Sequence, residues 1–235
     1  MSRAVQTMFD AIAARYDTLN HVLSAGRDLA WRRRAVRLLP PLGESARVLD
    51  LCGGTGDFAA ALRKRGSRAR CVIGDFSRPM LALAAPKKLD ALTVVLDALA
   101  PPLKPGSLDA VLCGFGMRNL DDTAAGVHLV HGLLKPGGTF VTLEFFRPAG
   151  LFARFFYGVL APLFIPLTGR LFGSRRAAYT YLVESVRRFR SAEEYAALCR
   201  AAGFTGVRVR ACDGGIAHIV TATKQVSENP SGRAG

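Results

Sequence analysis

The residues best arranged for chemistry are Asp50-Leu51-Cys52-Gly53-Gly54-Thr55-Gly56-Asp57, a glycine-rich turn between the apolar run Arg47-Val48-Leu49-Asp50-Leu51 and a helix-like segment near 57–65. Glycines let backbone approach a ligand closely, and the start of a helix offers unpaired N–H groups. Three cofactors compete for such a turn. A P-loop continues as Gly-Lys-Ser/Thr, whereas this chain has Gly56-Asp57-Phe58. A dinucleotide sets its pyrophosphate on the helix start, where Asp57 would repel it. S-adenosylmethionine has no phosphate and presents a cationic amino group that Asp50 and Asp57 can hold. The acids therefore select the sulfonium cofactor.

Two further acids fit the same ligand. The run Cys71-Val72-Ile73-Gly74 leads into Asp75-Phe76-Ser77, about twenty residues past the glycines, where an acid binds ribose hydroxyls. That feature is shared with NAD sites. A third run, Leu92-Thr93-Val94-Val95-Leu96, ends at Asp97-Ala98, placed for the adenine. His128 and His131 lie three apart on a helix-like segment with no further ligand beside them, so no metal is expected.

The elements that must position these residues follow from periodicity. Short apolar runs, continuing with Ala110–Cys113 and Phe140–Leu143, alternate with helix-like segments near 57–65, 78–85 and 122–134. Runs apolar on both faces predict a parallel sheet covered on two sides, an α/β doubly wound architecture. Lys135-Pro136-Gly137-Gly138 reads as a turn between helix and strand. Two helices precede the sheet, at 4–20 with Asn20 as a stop and at 28–39, a basic one ended by Pro40 and Pro41. A helix over 191–202 carries Ser191 and Glu194 as a capping box. Two strands follow, Phe204–Ala211 and Ile216–Thr223, as an antiparallel pair at the sheet edge. The organisation is one domain over 1–225, with an N-terminal helical cap over 1–42, an apolar helical insertion over 147–178 and a disordered tail over 226–235.

Composition narrows the setting. The chain has 235 residues, half of them hydrophobic, enough for one sizeable core. Its formal charge of +14, from 32 Lys and Arg against 18 Asp and Glu, favours a polyanionic surface, either nucleic acid or anionic lipid. Cys52, Cys71, Cys113, Cys199 and Cys212 form no CxxC pair, which points to reduced thiols in the cytoplasm. The first ten residues have no long apolar run and do not read as a signal peptide.

At this point the chain resembles the UbiE/MenG group of quinone-biosynthesis C-methyltransferases. The matching stretches are Met8-Phe9-Asp10, Arg15-Tyr16-Asp17, Leu19-Asn20, Val48–Asp57, Phe115-Gly116-Met117-Arg118-Asn119, Leu134–Gly138, Leu143-Glu144-Phe145, Tyr179–Val186 and Gly214-Gly215-Ile216. They run from residue 8 to about 220, and the Gly-Met-Arg-Asn and Tyr-x-Tyr-Leu-x-Glu-Ser blocks are the most specific. The resemblance implies a class I Rossmann-like methyltransferase fold with a mostly parallel seven-stranded sheet and an antiparallel edge strand. It also implies cofactor contacts at Thr55, Asp75, Asp97 and Ala98. With the glycine turn, the expected cofactor set is Asp50, Gly53, Gly54, Thr55, Gly56, Asp75, Phe76, Asp97, Ala98 and Gly114. Many members carry Ser where this chain has Gly114, so a hydroxyl contact is missing there. The segment between Asp75 and Asp97 looks short, with Pro86 in it, and Cys52 replaces a small residue and reads as structural.

Carbon methylation of a quinol needs a ring carbon lined up behind the S–CH3 bond, with electron density released by loss of a hydroxyl proton. Positioning and phenolate stabilisation should dominate. Arg118 and Asn119 follow the fourth strand and are the expected catalytic residues, Arg118 for the oxyanion and Asn119 for orienting the ring oxygen. Arg118 could equally pair with nearby Asp121 or Asp122. Tyr16, Arg118, Tyr181 and His218 are the expected substrate contacts, and His218, Asp57 or a water on Arg118 the candidate bases.

Phe152, Phe155, Phe156, Leu160 and Phe164 in the insertion, flanked by Arg147, Arg154, Arg170, Arg175 and Arg176, suit an anionic membrane where a prenylated quinol resides. Pro162 and Pro166 make the stretch too broken to span a bilayer. The expected setting is thus cytoplasmic, peripheral at the inner face of the membrane. A cap on the core or a homodimer contact is the alternative use of the insertion. A nucleic-acid partner is not expected: Gly114-Phe115-Gly116-Met117 stands where base N-methylation uses Asp/Asn-Pro-Pro-Tyr/Phe, and no Pro-Cys dipeptide occurs. The substrate is expected to be demethylmenaquinol, with a ubiquinone-pathway benzoquinol as the alternative.

Overall fold

The computed structural model of the chain describes residues 3–24, 26–160 and 176–226. Residues 161–175 of the insertion and 227–235 of the tail, with the expectations placed on them, lie outside the described residues.

The apolar runs become strands β1 (Arg47–Leu51), β2 (Arg70–Asp75), β3 (Ala91–Val95), β4 (Leu108–Gly114), β5 (Leu134–Glu144), β6 (Phe204–Cys212) and β7 (Ala217–Lys224). They form a seven-stranded sheet in the order β3-β2-β1-β4-β5-β7-β6. β1 through β5 pair in parallel, and β7 runs antiparallel to both β5 and β6. Strand order therefore reverses between β1 and β4. At such a switch point the two neighbouring loops leave in opposite directions and open a crevice above the strand ends.

The helices are α1 (Arg3–Leu23), α2 (Arg27–Val36), α3 (Asp57–Lys64), α4 (Arg78–Ala84), α5 (Thr123–Leu133), α6 (Leu151–Phe155), α7 (Arg176–Arg188) and α8 (Ala192–Ala201). Alternation along each strand feeds two cores. Val48, Ile73, Leu112 and Val141 pack with Trp31, Val36, Phe58, Leu62 and Leu81 of α2, α3 and α4. Leu49, Leu51, Val111 and Phe140 pack with Val127, Val130, Tyr195 and Cys199 of α5 and α8. Central strands that bury both faces cannot slip by one residue without exchanging the two cores.

Local chemistry sets the helix starts. Ser77 caps α4 by accepting from Met80 N, and Asp122 caps α5 by accepting from Ala125 N at 2.9 Å. The expected capping box is present: Ser191 Oγ accepts from Glu194 N, and Glu194 Oε2 accepts from Ser191 N at 2.7 Å. Three boundaries differ from expectation. α1 runs past Asn20 to Leu23. The basic helix ends at Val36, well before Pro40. Lys135–Gly138 lies within β5 rather than in a separate turn, because Leu134 already pairs with Leu108 before an irregularity lets pairing resume at Thr139. α4 stops at Ala84, and Pro86 sits in a 3-10 turn, Ala85–Lys87.

Ser191→Ala removes one side of an exposed capping box and should cost about 1 kcal/mol. Urea unfolding should show a lower midpoint at unchanged m-value, whereas an unaltered midpoint would mean that α8 is held by packing alone.

Candidate active site

The cleft is built outward from the glycine turn. Gly53 N donates to Gly74 O at 3.1 Å, pulling the turn onto β2. A Cβ at Gly53 would sit 2.7 Å from Ile73 Cγ2 and 2.8 Å from Asp50 O, so only glycine fits this approach. Two nearby carboxyl groups take backbone donors of the turn and the helix that follows it. Asp75 Oδ2 accepts from Gly54 N at 2.9 Å, and its Oδ1 accepts from Ser77 N at 2.8 Å. Asp50 Oδ2 accepts from Ala59 N at 3.2 Å and so serves α3, whose own N-cap, Gly56, has no side chain. Burial pushes the Asp50 carboxyl up to about 7 despite that bond. Burial likewise raises Asp75 against its backbone hydrogen bonds.

The space above the turn is a cleft lined by Tyr16, Arg32, Asp50, Asp57, Asp75 and Asn119 among others. A second hollow continues past Asp75 and Phe76 to Leu96, Asp97 and Ala98. The expected cofactor residues Asp50, Gly53, Gly54, Thr55, Asp75, Phe76 and Gly114 line the first space, and Asp97 and Ala98 the second. Gly56 lies beneath the turn with φ 81°, where a Cβ would strike Leu89 and Ile73.

Helix α1 closes this cleft through polar contacts that sequence reasoning missed. Gln6 Nε2 donates to Phe76 O at 3.2 Å, and Ser77 Oγ donates to Asp10. Thr55 Oγ1 donates to Asp17 Oδ1 at 2.6 Å. Lys87 Nζ bridges Asp17 at 2.8 Å and Asp57 at 3.0 Å. Burial alone would raise Asp57, but Arg32 and Lys87 outweigh it and hold the carboxyl below its usual range. That makes Asp57 a poor general base.

Where β4 and β5 end, a second polar cluster adjoins the cavity. Arg118 pairs not with its sequence neighbours but across the sheet: Nη1 donates to Glu144 Oε1 at 2.7 Å, with side chains 6% and 0% exposed. Nη1 also donates to Phe115 O at 2.8 Å, and Nε to Ser185 Oγ at 3.3 Å. Burial opposes its charge, yet Glu144 keeps the Arg118 guanidinium above its ordinary pKa. Asn119 Nδ2 donates to Phe115 O, and Tyr181 Oη donates to Asn119 Oδ1 at 3.0 Å. The structure thus gathers Arg118, Asn119 and Tyr181; of these Asn119 lines the cavity, as Tyr16 does, while Arg118 and Tyr181 stand behind it. Glu144 and Ser185 are the partners that sequence reasoning did not single out, although both lie in the matching blocks.

His218 is a correction. It stands opposite Glu144 in the β5–β7 register but packs edge-on against Phe146 at 5.9 Å and does not line the cavity. Burial lowers its pKa. The alternation of β7 turns Ala217 and Ile219 to one core and His218 to the other side. The side chain of Tyr179 lies outside the described ones. Cys52, at φ 54°, packs against Gly116, where a Cβ would be 2.5 Å from Cys52 Cβ. Its thiol is pushed well above the ordinary value by Cys113 and burial, consistent with a structural part. At Gly114 a Cβ would lie 2.8 Å from the Phe58 ring, so the missing side chain is the room Phe58 occupies.

The charges decide what such a cleft can hold. Gly54 faces open space, with Asp75 Oδ2 4.0 Å from a Cβ position. Acidic side chains of Asp50, Asp57 and Asp75 ring the turn, with Asp57 held ionised, which suits a cation and disfavours phosphate. Among described residues the close His21, Asp28 and Asp57 group offers metal-type ligands, but Arg32 already lies against both acids. A doubly wound sheet with an acid-ringed glycine turn at its switch point makes this an S-adenosylmethionine-dependent methyltransferase.

Comparison with known proteins narrows the class. The chain is 42% identical over 216 residues to a demethylmenaquinone methyltransferase of Thermus thermophilus, covering 90% of this chain and 97% of that one. It is 43% identical over 229 residues to a protein of the same name from Deinococcus radiodurans, covering 95% and 93%. A ubiquinone/menaquinone biosynthesis C-methyltransferase UbiE of Rubrivivax gelatinosus is 37% identical, covering 98% and 90%. Among solved structures, a SAM-dependent methyltransferase from Thermotoga maritima superposes with a TM-score of 0.67 at 20% identity, covering 93% and 99%. The Haemonchus contortus phosphoethanolamine N-methyltransferase 2, solved with S-adenosyl-L-methionine, gives 0.62 at 16% identity, covering 83% and 52%. Both share the fold. Residues 1–224 match the ubiE/COQ5 methyltransferase family, and the chain belongs to it.

The raised Asp50 carboxyl has a measurable consequence. Between about pH 4, the ordinary unfolded value, and about 7, the folded chain keeps a proton that the unfolded chain has lost. Stability from this residue therefore falls as pH rises through that window and is level above it. Urea unfolding of wild type and Asp50→Asn across pH 4.5–8 should show their difference shrinking in this sense, whereas parallel curves would refute a protonated Asp50.

Proposed function

We propose that the protein methylates a ring carbon of a prenylated quinol, demethylmenaquinol foremost, using S-adenosylmethionine. The observation that carries this is the buried Arg118–Glu144 pair joined to Asn119 and Tyr181 at the rim of the cofactor cavity. The names of the relatives point to the same substrate class. The cofactor supplies an electrophilic methyl group on a sulfonium. Asp50, Thr55, Asp75, Asp97 and Ala98 would hold it. The chain's remaining work is to place a phenolic ring and favour its ionised form.

Asn119 and Tyr16 line the cavity and orient the ring oxygen. Tyr181 fixes the Asn119 carboxamide, because its hydroxyl occupies Oδ1 while Phe115 O occupies Nδ2. Arg118, held by Glu144 and Ser185, puts a fixed positive charge behind this oxygen and lowers the cost of losing the hydroxyl proton. Neither His218 nor the ion-paired Asp57 is suited to take that proton. Water then receives it under the influence of the Arg118 charge.

The substrate's prenyl tail also supports contact with an anionic membrane. α6 exposes Leu151, Phe152 and Phe155 beside Arg147 and Arg154. No helix among the described residues is long and apolar enough to cross a membrane. Flotation with anionic but not neutral liposomes is the expected result, and absence from both would remove the membrane from this reading.

Methyl transfer assayed in parallel on demethylmenaquinol, a benzoquinol precursor and RNA should favour the first, and transfer to RNA alone would overturn the reading. Arg118→Lys keeps the charge but loses the Glu144 and Phe115 geometry. Its kcat should fall by roughly 100-fold or more with cofactor affinity unchanged. Full transfer by this variant would remove Arg118 from the mechanism.

A further inference from the structure

Arg32 stands in an Arg32-Arg33-Arg34 run that reads as the basic face of a helix, but its side chain is only 6% exposed and reaches the cofactor cavity. Nη1 donates to Asp28 Oδ2 at 2.7 Å, and Asp28 is itself held by Ser24 Oγ at 2.8 Å and His21 Nδ1 at 2.9 Å. The guanidinium is wedged between two rings, with Cζ 5.2 Å from the Phe115 centroid and 6.0 Å from that of Phe58. Gly114 adds to this slot: a Cβ there would press on Phe58 and lie 3.9 Å from Arg32 Nε.

The opposite edge of the guanidinium is not used in this way. Nη2 lies 3.6 Å from Asp57 Oδ2, an ion-pair distance too long for a hydrogen bond, and Nε has no acceptor among the described residues. Nε and Nη2 form the edge that matches a carboxylate with two parallel N–H···O bonds. A buried guanidinium held by Asp28 and two aromatic faces, with that edge beside the cavity-lining Gly114 and Asp57, is preorganised for a planar anion. Phosphate is disfavoured by the acids around the turn. The cofactor of this site has a single carboxylate, at the amino-acid end, next to the ammonium that the acids favour.

We propose that Arg32 binds the α-carboxylate of S-adenosylmethionine through its Nε–Nη2 edge, and that Asp28 is the positioning residue that aims it. The proposal rests on the cofactor reading and adds a specificity: the protein distinguishes the complete amino-acid cofactor from adenosine thioethers that lack the carboxylate. Asp57 keeps its partner in Lys87 when Arg32 turns to the ligand.

Titration calorimetry on the full chain tests this with S-adenosylhomocysteine, its decarboxylated analogue and methylthioadenosine. Wild type should prefer S-adenosylhomocysteine over the decarboxylated analogue by roughly 10- to 100-fold, as expected for a buried hydrogen bond between charged groups. Arg32→Gln should lose that preference while binding methylthioadenosine as wild type does. Arg32→Lys, which keeps the charge but not the fork, should show an intermediate preference. Equal wild-type affinity for the first two ligands, or an intact preference in Arg32→Gln, would overturn the proposal. The wild-type series and Arg32→Lys decide the matter should Arg32→Gln fail to fold. Absence of wild-type binding to any of the three would overturn the cofactor reading as well.

Discussion

The Asp50 carboxyl group, near the end of β1 and almost wholly buried, receives the Ala59 N–H at the start of α3. This contact fixes how the chain leaves the sheet. It forces Gly53 against Ile73 and Gly74, aims Gly54 into the cavity and puts Thr55 under α1. A helix start so arranged would ordinarily invite a phosphate. Here Asp50 takes the Ala59 N–H, Asp75 takes the Gly54 N–H, and Asp57 stands ionised at the cavity edge. The selectivity of the cleft thus begins as a helix-capping problem: because α3 has only Gly56 at its N-cap, the strand supplies the acid.

From that turn two polar assemblies extend in opposite directions. On one side α1 is tied down by Gln6, Asp10 and Asp17, and Lys87 joins Asp17 to Asp57. On the other, the ends of β4 and β5 carry Arg118 and Glu144, with Asn119 reaching the cavity and Tyr181 descending from α7. A buried ion pair contributes little net stability, because desolvation offsets the attraction. Its value here is a fixed orientation, since an arginine with both carboxylate and carbonyl partners is held in one place. Arg32 repeats this logic on the cofactor side, with Asp28 in the part that Glu144 plays for Arg118.

The parts legible in the sequence are those encoded locally. The doubly wound sheet follows from apolar runs of strand length alternating with helical segments. The glycine turn announces itself by residue type, and the capping box at Ser191 by spacing. What stayed hidden depends on pairs distant in sequence. Arg118 has Asp121 and Asp122 within one turn, so local reading offers them first, and only the β4–β5 register brings in Glu144. Asp17 and Thr55 are brought together by the return of α1 over the turn. Arg32 is masked by its neighbours, since burial of one arginine in a run of three depends on helix phase against α3 and β4. His218 is hidden for the complementary reason: strand alternation decides its face, and a one-residue difference in phase separates the cavity from the opposite core.

The most direct measurement compares S-adenosylmethionine, NAD and ATP as ligands of the same purified chain by equilibrium titration. The account predicts one site for S-adenosylmethionine and no measurable binding of either phosphate-bearing ligand at the same concentrations. Comparable affinity for NAD or ATP would contradict it, because the acids around the glycine turn would then not be selecting the cofactor.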